Sequence, residues 1–295
     1  MRSGFVAVMG RPNVGKSTLV NAMLSKKVSI VSPKAQTTRD AVLGILNELD
    51  TQIVFLDTPG IYFGKEKLDS HMRKSAFSSS REVDAILYLL DAGSFDLQRD
   101  GKIIDSLKTE APIYFVLNKI DLIRPEKGQQ IIASLKERYP DRQVIEACLK
   151  DNFGLKEIKE AIIPTLSGDS PFYPEDWLTD RNLDYQAKEI IREKLLYFLD
   201  KEVPHSSAVK ITAFKTIKDA LSIEALVVVD RPAHKGIVIG KEGSMIKKIS
   251  MASRQEMEKR WHRRVANLVL NVEVRPGWRS KVSDLIDLGY GDQGE

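Results

Sequence analysis

Cysteine is nearly absent: Cys148 is the single thiol in 295 residues, and histidine occurs only four times. One cysteine excludes an internal disulfide framework, and four scattered histidines offer no metal-ligand spacing. Cys148 itself reads as a small packed residue, and the composition suits a reducing cytoplasm. Long apolar runs are missing as well; none approaches the ~18 residues that a bilayer-crossing helix requires. The opening "MRSGFVAVMG" has no small-residue cleavage site and reads as a first strand, not a signal peptide. No internal repeat or low-complexity tract occurs.

What is present is ordinary in bulk and uneven in distribution. Hydrophobic residues at 42% and charged residues at 29% fit a globular protein, and the length predicts two domains. Residues 1–181 hold 25 basic and 25 acidic side chains, whereas 182–295 hold 20 and 16, so the net charge of +4 lies wholly in the second part. Between Arg231 and Lys281 there are 13 Lys or Arg against four Glu, a net of +9. Such a cluster either concentrates polyanions or forms a solvated helix face.

"FVAVMG", "QIVFLDTPG", "AILYLLDA" and "IYFVLNKIDL" each read as an apolar strand running into a loop, with helical stretches between. Fully apolar strands alternating with helices predict a mostly parallel α/β sheet with helices on both faces. The stretch "PTLSGDSPFYPEDWLTDR" carries three prolines and no period, and reads as a linker. The expected layout is therefore a nucleotide domain over 1–165, a linker over 166–181 and a smaller α+β domain over 182–295. In that last part "LDYQAKEIIREKLLYFLDKE" has helical spacing, "SAVKITAFKT" and "LSIEALVVVDR" read as strands, and "SMIKKISMASRQEMEKRWHRR" reads as helix. The strand "VANLVLNVEVR" and a short helix near Ser283–Leu288 close the series.

"GRPNVGKS", Gly10 to Ser17, fits G-x-x-x-x-G-K-[ST] directly after a strand and before a helix. Gly10 and Gly15 let backbone N–H groups wrap phosphate, and the helix N-terminus adds partial positive charge. Lys16 then reaches the β- and γ-phosphates and Ser17 offers a hydroxyl to Mg²⁺. "DTPG", Asp57 to Gly60, ends a strand, so Asp57 can hold a Mg²⁺-bound water and the Gly60 N–H can meet the γ-phosphate. "NKID", Asn118 to Asp121, ends another, and its Asp carboxylate accepts both N1–H and N2–H₂ of guanine. Adenine lacks that donor pair, and mispairing a buried carboxylate costs about 1–3 kcal/mol, so Asp121 selects GTP over ATP.

The order "GRPNVGKS", "TTRD", "DTPG", "NKID" resembles a translation-type GTPase over about residues 4–165. That resemblance implies nucleotide contacts from Gly10, Arg11, Pro12, Asn13, Val14, Gly15, Lys16, Ser17 and Thr18, from Asp57, Thr58, Pro59, Gly60 and Ile61, and from Asn118, Lys119, Ile120 and Asp121. It makes Thr38 the switch threonine that joins Ser17 on Mg²⁺, and Lys16, Thr38 and Gly60 the catalytic group. Glu146-Ala147 takes the place of the family's Ser-Ala, which leaves the Ala147 N–H to contact the guanine oxygen. Ras-like enzymes orient the attacking water with a glutamine after D-x-x-G, but here Ile61 follows. GTPases similar to this one hold potassium with a P-loop asparagine, which Asn13 matches; Asn13 equally suits a residue stabilising its own turn. Slow intrinsic hydrolysis is expected; the alternative is an RNA-binding scaffold whose GDP site is nearly inactive.

After the linker the order reads helix, strand, strand, helix, helix, strand. Between the second strand and the next helix lies Gly240-Lys241-Glu242-Gly243, either a tight turn or the G-x-x-G loop that clamps a nucleic-acid backbone. It is no second P-loop, because three residues separate Gly236 from Gly240 and Glu242 cannot supply the hydroxyl for Mg²⁺. With "GIVI" before it, "SMIKKI" after it and the basic excess around it, the region resembles a type II K-homology RNA-binding module. Lys235, Gly236, Ile239, Gly240, Lys241, Glu242, Gly243, Lys247, Lys248 and Arg254 are the candidate RNA contacts, with Arg263 and Arg264 less central. Of Ile237, Ile239 and Ile246, at least half are expected in the core.

A GTPase domain followed by such a module is the arrangement of the Era family, and "KAQTTR", "YPEDWLTDR", "EIIREKLL" and "IVIGKEGSMIKKI" extend the likeness from end to end. The resemblance implies binding of small-subunit (16S) ribosomal RNA near its 3′ end and a part in 30S assembly. It further implies Mg²⁺ and potassium as ions, a cytoplasmic monomer, and peripheral association with the inner membrane face. A nucleotide-dependent ordering of residues 32–39 and of the loop after Gly60 is the expected link to RNA.

Overall fold

The computed structural model describes residues 1–32, 34, 36–61, 64 and 66–290. The chain divides into two compact units, one of Met1–Gly64 and Met72–Asp180, the other of Lys65–His71 and Arg181–Glu295. Along its first part the elements are β1 (Arg2–Gly10), α1 (Lys16–Leu24), β2 (Val42–Glu48), β3 (Thr51–Asp57), α2 (Lys67–Ser78), β4 (Ala85–Asp91), α3 (Leu97–Asp105), β5 (Ile113–Asn118), α4 (Pro125–Arg138), β6 (Val144–Glu146) and α5 (Leu155–Ile162).

The sheet order is β2-β3-β1-β4-β5-β6, parallel throughout except that β2 runs antiparallel to β3. Alternation along each strand explains the layers. Val6, Val8, Phe55, Leu87 and Leu89 point to the face covered by α1 and α5, while Ala7, Met9, Ile86, Tyr88 and Phe115 point to the face covered by α3 and α4. Every residue of β4 is buried, and each such large apolar side chain contributes about 1.5–3 kcal/mol. Parallel strands all end on one edge, so the loops after β1, β3 and β5 gather there.

β2 was not legible in "VLGILNE", because Gly44 and Asn47 break the apolar run. Gly44 has its own reason: a Cβ there would come within 2.6 Å of Val20 Cγ1 on α1.

The stretch expected as a linker is instead a strap bound to the first unit. The Gln52 side chain is fully buried; its Oε1 accepts from Phe172 N (2.7 Å) and Tyr173 N (3.0 Å), and its Nε2 donates to Tyr173 O (2.8 Å). Asn47 Nδ2 donates to Glu175 O (2.8 Å), Ile45 N donates to Leu178 O (2.9 Å), and Ser3 pairs with Gly168. Prolines and missing periodicity signal non-repetitive backbone, but they do not say whether side chains hold that backbone down. The first unit therefore runs past the boundary drawn at 165, to Asp180.

The later part contains α6 (Leu183–Phe198), β7 (Ser207–Ile217), β8 (Ala220–Val229), α7 (Pro232–Ile239), α8 (Ser244–Trp261), β9 (Val265–Val274) and α9 (Val282–Asp287). Asn182 caps α6 by accepting from Tyr185 N at 2.9 Å. β7 and β8 form a hairpin whose two loop residues, Lys218 and Asp219, both have positive φ, as a type I′ turn demands. β9 adds to β8 in parallel, and Ala187, Ile190, Ile191 and Leu195 of α6 pack over this sheet with Val238, Ile249 and Met257.

One expectation about this part is corrected. The glycine loop does not follow the second strand directly but joins two helices: Pro232 stands in the first turn of α7, "GIVI" is helical, and Gly240 ends the helix at φ 72°. The isoleucine expectation also fails, since Ile237 is exposed and Ile239 and Ile246 are half-buried, while Val238 and Ile249 take the core positions.

Candidate functional site

A cavity of about 410 Å³ opens at the carboxyl edge of the parallel strands, lined by the P-loop, by Thr37 and Thr38, by Gly60 and by the loops after β5 and β6. Gly10 and Gly15 hold φ of 138° and 109°, which only glycine adopts freely. A Cβ on Gly15 would collide with Asn118 Nδ2, and one on Gly10 would reach Leu89 O at 2.5 Å. Lys16 is buried and donates to Gly10 O (3.3 Å) and Arg11 O (2.9 Å) across the loop. Burial pulls its pKa down to about 8, against the opposing attraction of Asp57.

Ser17 Oγ and Thr38 Oγ1 lie 2.9 Å apart, so the switch threonine and the P-loop serine do meet. Asp57 is fully buried, and neither of its carboxylate oxygens completes a hydrogen bond. Burial raises its pKa, while nearby hydroxyls of Ser17, Ser29 and Thr38 and the charge of Lys16 favour the ionised form. A buried carboxylate with both oxygens unsatisfied, beside two hydroxyls, is the oxygen donor set that suits Mg²⁺. Among the described residues no group of three His, Cys, Asp or Glu is placed to hold a metal.

Asn118 is buried and ties the loops together, donating to Val14 O (2.8 Å) and accepting from Leu149 N (3.1 Å). Lys119 Nζ bridges Asn13 O and Asp91 Oδ2, both at 2.7 Å. Asp121 accepts from Lys150 Nζ (2.6 Å) on one oxygen and from the Cys148 thiol (3.2 Å) on the other. These contacts hold its carboxyl below the usual range, Lys150 contributing most. Cys148 also donates to Asp151 at 3.1 Å, and burial followed by the two carboxylates pushes its thiol up to about 11.

Several candidate residues sit elsewhere. Ala147 is fully buried, its N–H donates to Leu117 O at 2.9 Å, and it does not line the cavity; Cys148, next along, does. The three-residue strand β6 sets that register, and its length gave no sequence signal. Arg11 turns out of the cavity to Asp100 (3.0 Å) and Ser94 O (2.6 Å), anchoring the P-loop on α3. Val14 is core, Ile120 packs at the core margin, and Thr58 bonds Val8 O at 2.7 Å. Pro12, Thr18 and Gly60 line the cavity, and Pro59 is buried behind it. Ile61 is buried in the core with its N–H on Gly10 O (3.2 Å), so its side chain does not reach the phosphates. Positions 33, 35, 62, 63 and 65 of the two expected switch segments lie outside the described residues.

In the second unit Gly240 and Gly243 both have positive φ, at 72° and 76°, and Glu242 between them has φ 52°. A Cβ on Gly240 would meet Met245 Cβ at 2.7 Å, whereas one on Gly243 would find only Ile246 Cγ2 at 3.9 Å. Gly236 has nothing within 4 Å of a built Cβ, leaving bare backbone open beside the loop. Lys235, Lys241, Lys247 and Lys248 are exposed near it. The Lys248 ammonium, however, sits 4.5 Å over the Phe198 ring, and Arg254 stands about 15 Å along α8 from its start at Ser244, paired with Glu258 at 3.6 Å. The basic cluster is thus only partly a loop feature.

Three strand-end motifs around one cavity, and a glycine loop between helices beside a three-stranded sheet, define a P-loop GTPase carrying a K-homology domain. A profile described as "50S ribosome-binding GTPase" matches residues 5–119, and one described as "KH domain" matches residues 202–279. The GTPase Era of Caldanaerobacter subterraneus is 42% identical over 98% of both chains. An Era variant from Aquifex aeolicus bound to GDP.AlF4- superposes with a TM-score of 0.95 at 38% identity, covering 99% of this chain and 100% of that one. Era in complex with MgGDPNP and nucleotides 1506–1542 of 16S ribosomal RNA superposes equally well at 40% identity, covering 99% of each. The chain belongs to the Era family of GTPases.

Proposed function

We propose that this chain binds GTP with Mg²⁺ in the cavity after β1, hydrolyses it slowly, and binds the 3′ region of small-subunit ribosomal RNA through the loop at Gly240–Gly243. The observation that carries the nucleotide half is Asp57, a fully buried carboxylate with both oxygens free beside the touching hydroxyls of Ser17 and Thr38. Ser17, Thr38 and, through water, Asp57 would hold Mg²⁺, which supplies charge neutralisation at the phosphate oxygens when bound. Lys16 moves from the loop carbonyls to those oxygens and stabilises the charge that develops on them. The Gly60 N–H is the donor on the γ side. Asp121, held ready by Lys150 and Cys148, reads guanine.

The attacking water has no glutamine to orient it, since Ile61 faces the core. Its positioning falls to backbone groups and to potassium held by Asn13, whose carbonyl Lys119 fixes. Replacing sodium by potassium should raise single-turnover hydrolysis, and Asn13→Ala should remove the gain; equal rates in both salts would refute the cation role. GTP should bind on the order of 10–100-fold tighter than ATP, as a competition assay would read.

The RNA half rests on the relative solved with nucleotides 1506–1542 of 16S ribosomal RNA, aligned over nearly all of both chains. Lys235, Lys241 and Lys247 would meet phosphates, while Gly236, Gly240 and Gly243 let the backbone approach and Ile239 offers an apolar surface to a base. Glu242 leaves the loop itself near neutral, so affinity comes from the cations around it. Gly243→Asp should abolish binding of a 16S 3′ fragment and leave GTP affinity intact; unchanged RNA affinity at matched salt would overturn the assignment. We assign the protein to 30S assembly as a cytoplasmic monomer. Contact with the inner membrane face would be peripheral, weak and sensitive to salt. Among the described residues no helix is long and apolar enough to cross a membrane.

A further inference from the structure

β4 lies between the two motif-bearing strands β1, which ends in the P-loop, and β5, which ends in NKID. The loop after β4 carries no nucleotide motif. Register nevertheless sets the last residue of β4, Asp91, opposite Asn118 and so beside Lys119. The Asp91 carboxylate, outside the cavity lining, divides its work between two oxygens. Oδ1 accepts from Gly93 N (2.9 Å) and caps the single 3₁₀ turn of Ala92–Ser94. Oδ2 accepts from Lys119 Nζ (2.7 Å), and the same ammonium donates to Asn13 O of the P-loop, also at 2.7 Å. The capped turn gives the P-loop a second support, since Ser94 O accepts from Arg11 Nη2 (2.6 Å).

The residues joined in this way hold costly conformations. Asn13 and Lys119 have φ of 64° and 63°, left-handed values that disfavour a residue with a side chain. Strain of this kind persists where the surroundings over-determine it. A lysine stem is flexible, and its ammonium is readily drawn to water. Here the Asp91 side chain is 12% exposed and is itself fixed by the Gly93 bond, which narrows where the ammonium can rest.

We propose that Asp91 is a positioning residue of the nucleotide site: its Oδ2 holds Lys119 on the Asn13 carbonyl, joining the P-loop to the guanine loop before nucleotide arrives. The inference rests on the reading of the cavity as the nucleotide site. Ordering done in advance is not charged against binding, so its loss appears as weaker affinity.

The test is release of a fluorescent GDP analogue from the full chain. Asp91→Asn is isosteric, keeps the acceptor for Gly93 N and removes only the charge that faces Lys119. It should speed release about three- to tenfold. Lys119→Met should also speed release, and adding Asp91→Asn to it should bring no further increase, because Asp91 acts only through that lysine. Release at the wild-type rate in Asp91→Asn, or effects that multiply in the double variant, would overturn the proposal. Asp91→Ala loses both bonds and should melt below Asp91→Asn in the nucleotide-free state; equal melting would overturn the division between the oxygens. Lys16→Ala separates the two layers of the argument. If it holds the analogue as tightly as wild type, the reading of the cavity fails; if it loses binding while Asp91→Asn releases normally, only the role of Asp91 fails.

Discussion

Lys16 carries its ammonium buried in the cavity wall, and its pKa, pulled down to about 8, has a consequence for binding. Phosphate oxygens favour the charged form, so the complex holds a proton on Lys16 that the free protein begins to lose as pH rises past 8. Nucleotide binding therefore takes up a proton above that pH, and affinity should fall by up to about tenfold per pH unit. Titration calorimetry in buffers of different ionisation enthalpy reads this uptake directly; binding heats independent of buffer at pH 9 would refute it. Asp121 offers a second check. Its Asn variant replaces an acceptor pair by a donor and an acceptor, so xanthosine triphosphate, with a carbonyl where guanine has N2–H₂, should displace GTP as the preferred nucleotide in competition assays. At this scale the P-loop, Asp57 and Asp121 were legible because each motif encodes a local backbone constraint at a strand end. The cavity-lining residue after β6 was not: a one-residue difference in register separates Ala147 from Cys148, and no spacing rule fixes the register of so short a strand.

Among the elements, the strap after α5 reads as a linker in sequence because prolines and turn formers look alike whether bound or free. Prominent among the groups that bind it is Gln52, with an amide that satisfies both Phe172 and Tyr173 from inside the sheet. Gln52→Ala leaves two N–H groups, the Tyr173 carbonyl and the Asn47 Oδ1 without that partner, and should cost about 2–4 kcal/mol in urea unfolding, with faster protease cleavage between 168 and 178. The α7–loop–α8 element behaves differently at its two glycines. Gly240→Ala combines a positive φ with a backbone contact at 2.8 Å and should destabilise the second unit measurably, whereas Gly243→Ala carries only the conformational penalty of about 1–2 kcal/mol. Thermal melts of the two variants should rank in that order. The helix α7 itself was partly hidden, since "GIVI" is as apolar as a strand and only Pro232 before it marks a helix start.

Across the whole molecule two sets of core residues share no member, one drawn from residues up to Leu166 and the other from Ala187 onward. A ligand that binds only the first set stabilises only that set. Mg²⁺ and GDP at a hundredfold excess over Kd add about 2.7 kcal/mol, which should raise one calorimetric transition by several degrees and leave the other in place. Joint movement of both transitions would show instead that the units unfold as one. If nucleotide and RNA are linked, the factor by which GTP changes RNA affinity must equal the factor by which RNA changes GTP affinity. The strap has one more consequence, in the order of synthesis. β2 is an outer strand of the sheet, and Leu178 takes an N–H that would otherwise be open to pairing with another chain. On the ribosome all six strands emerge before that carbonyl does, so a nascent chain stopped at 165 would display a raw edge ready for self-association. The last residues of the first unit serve as its hem.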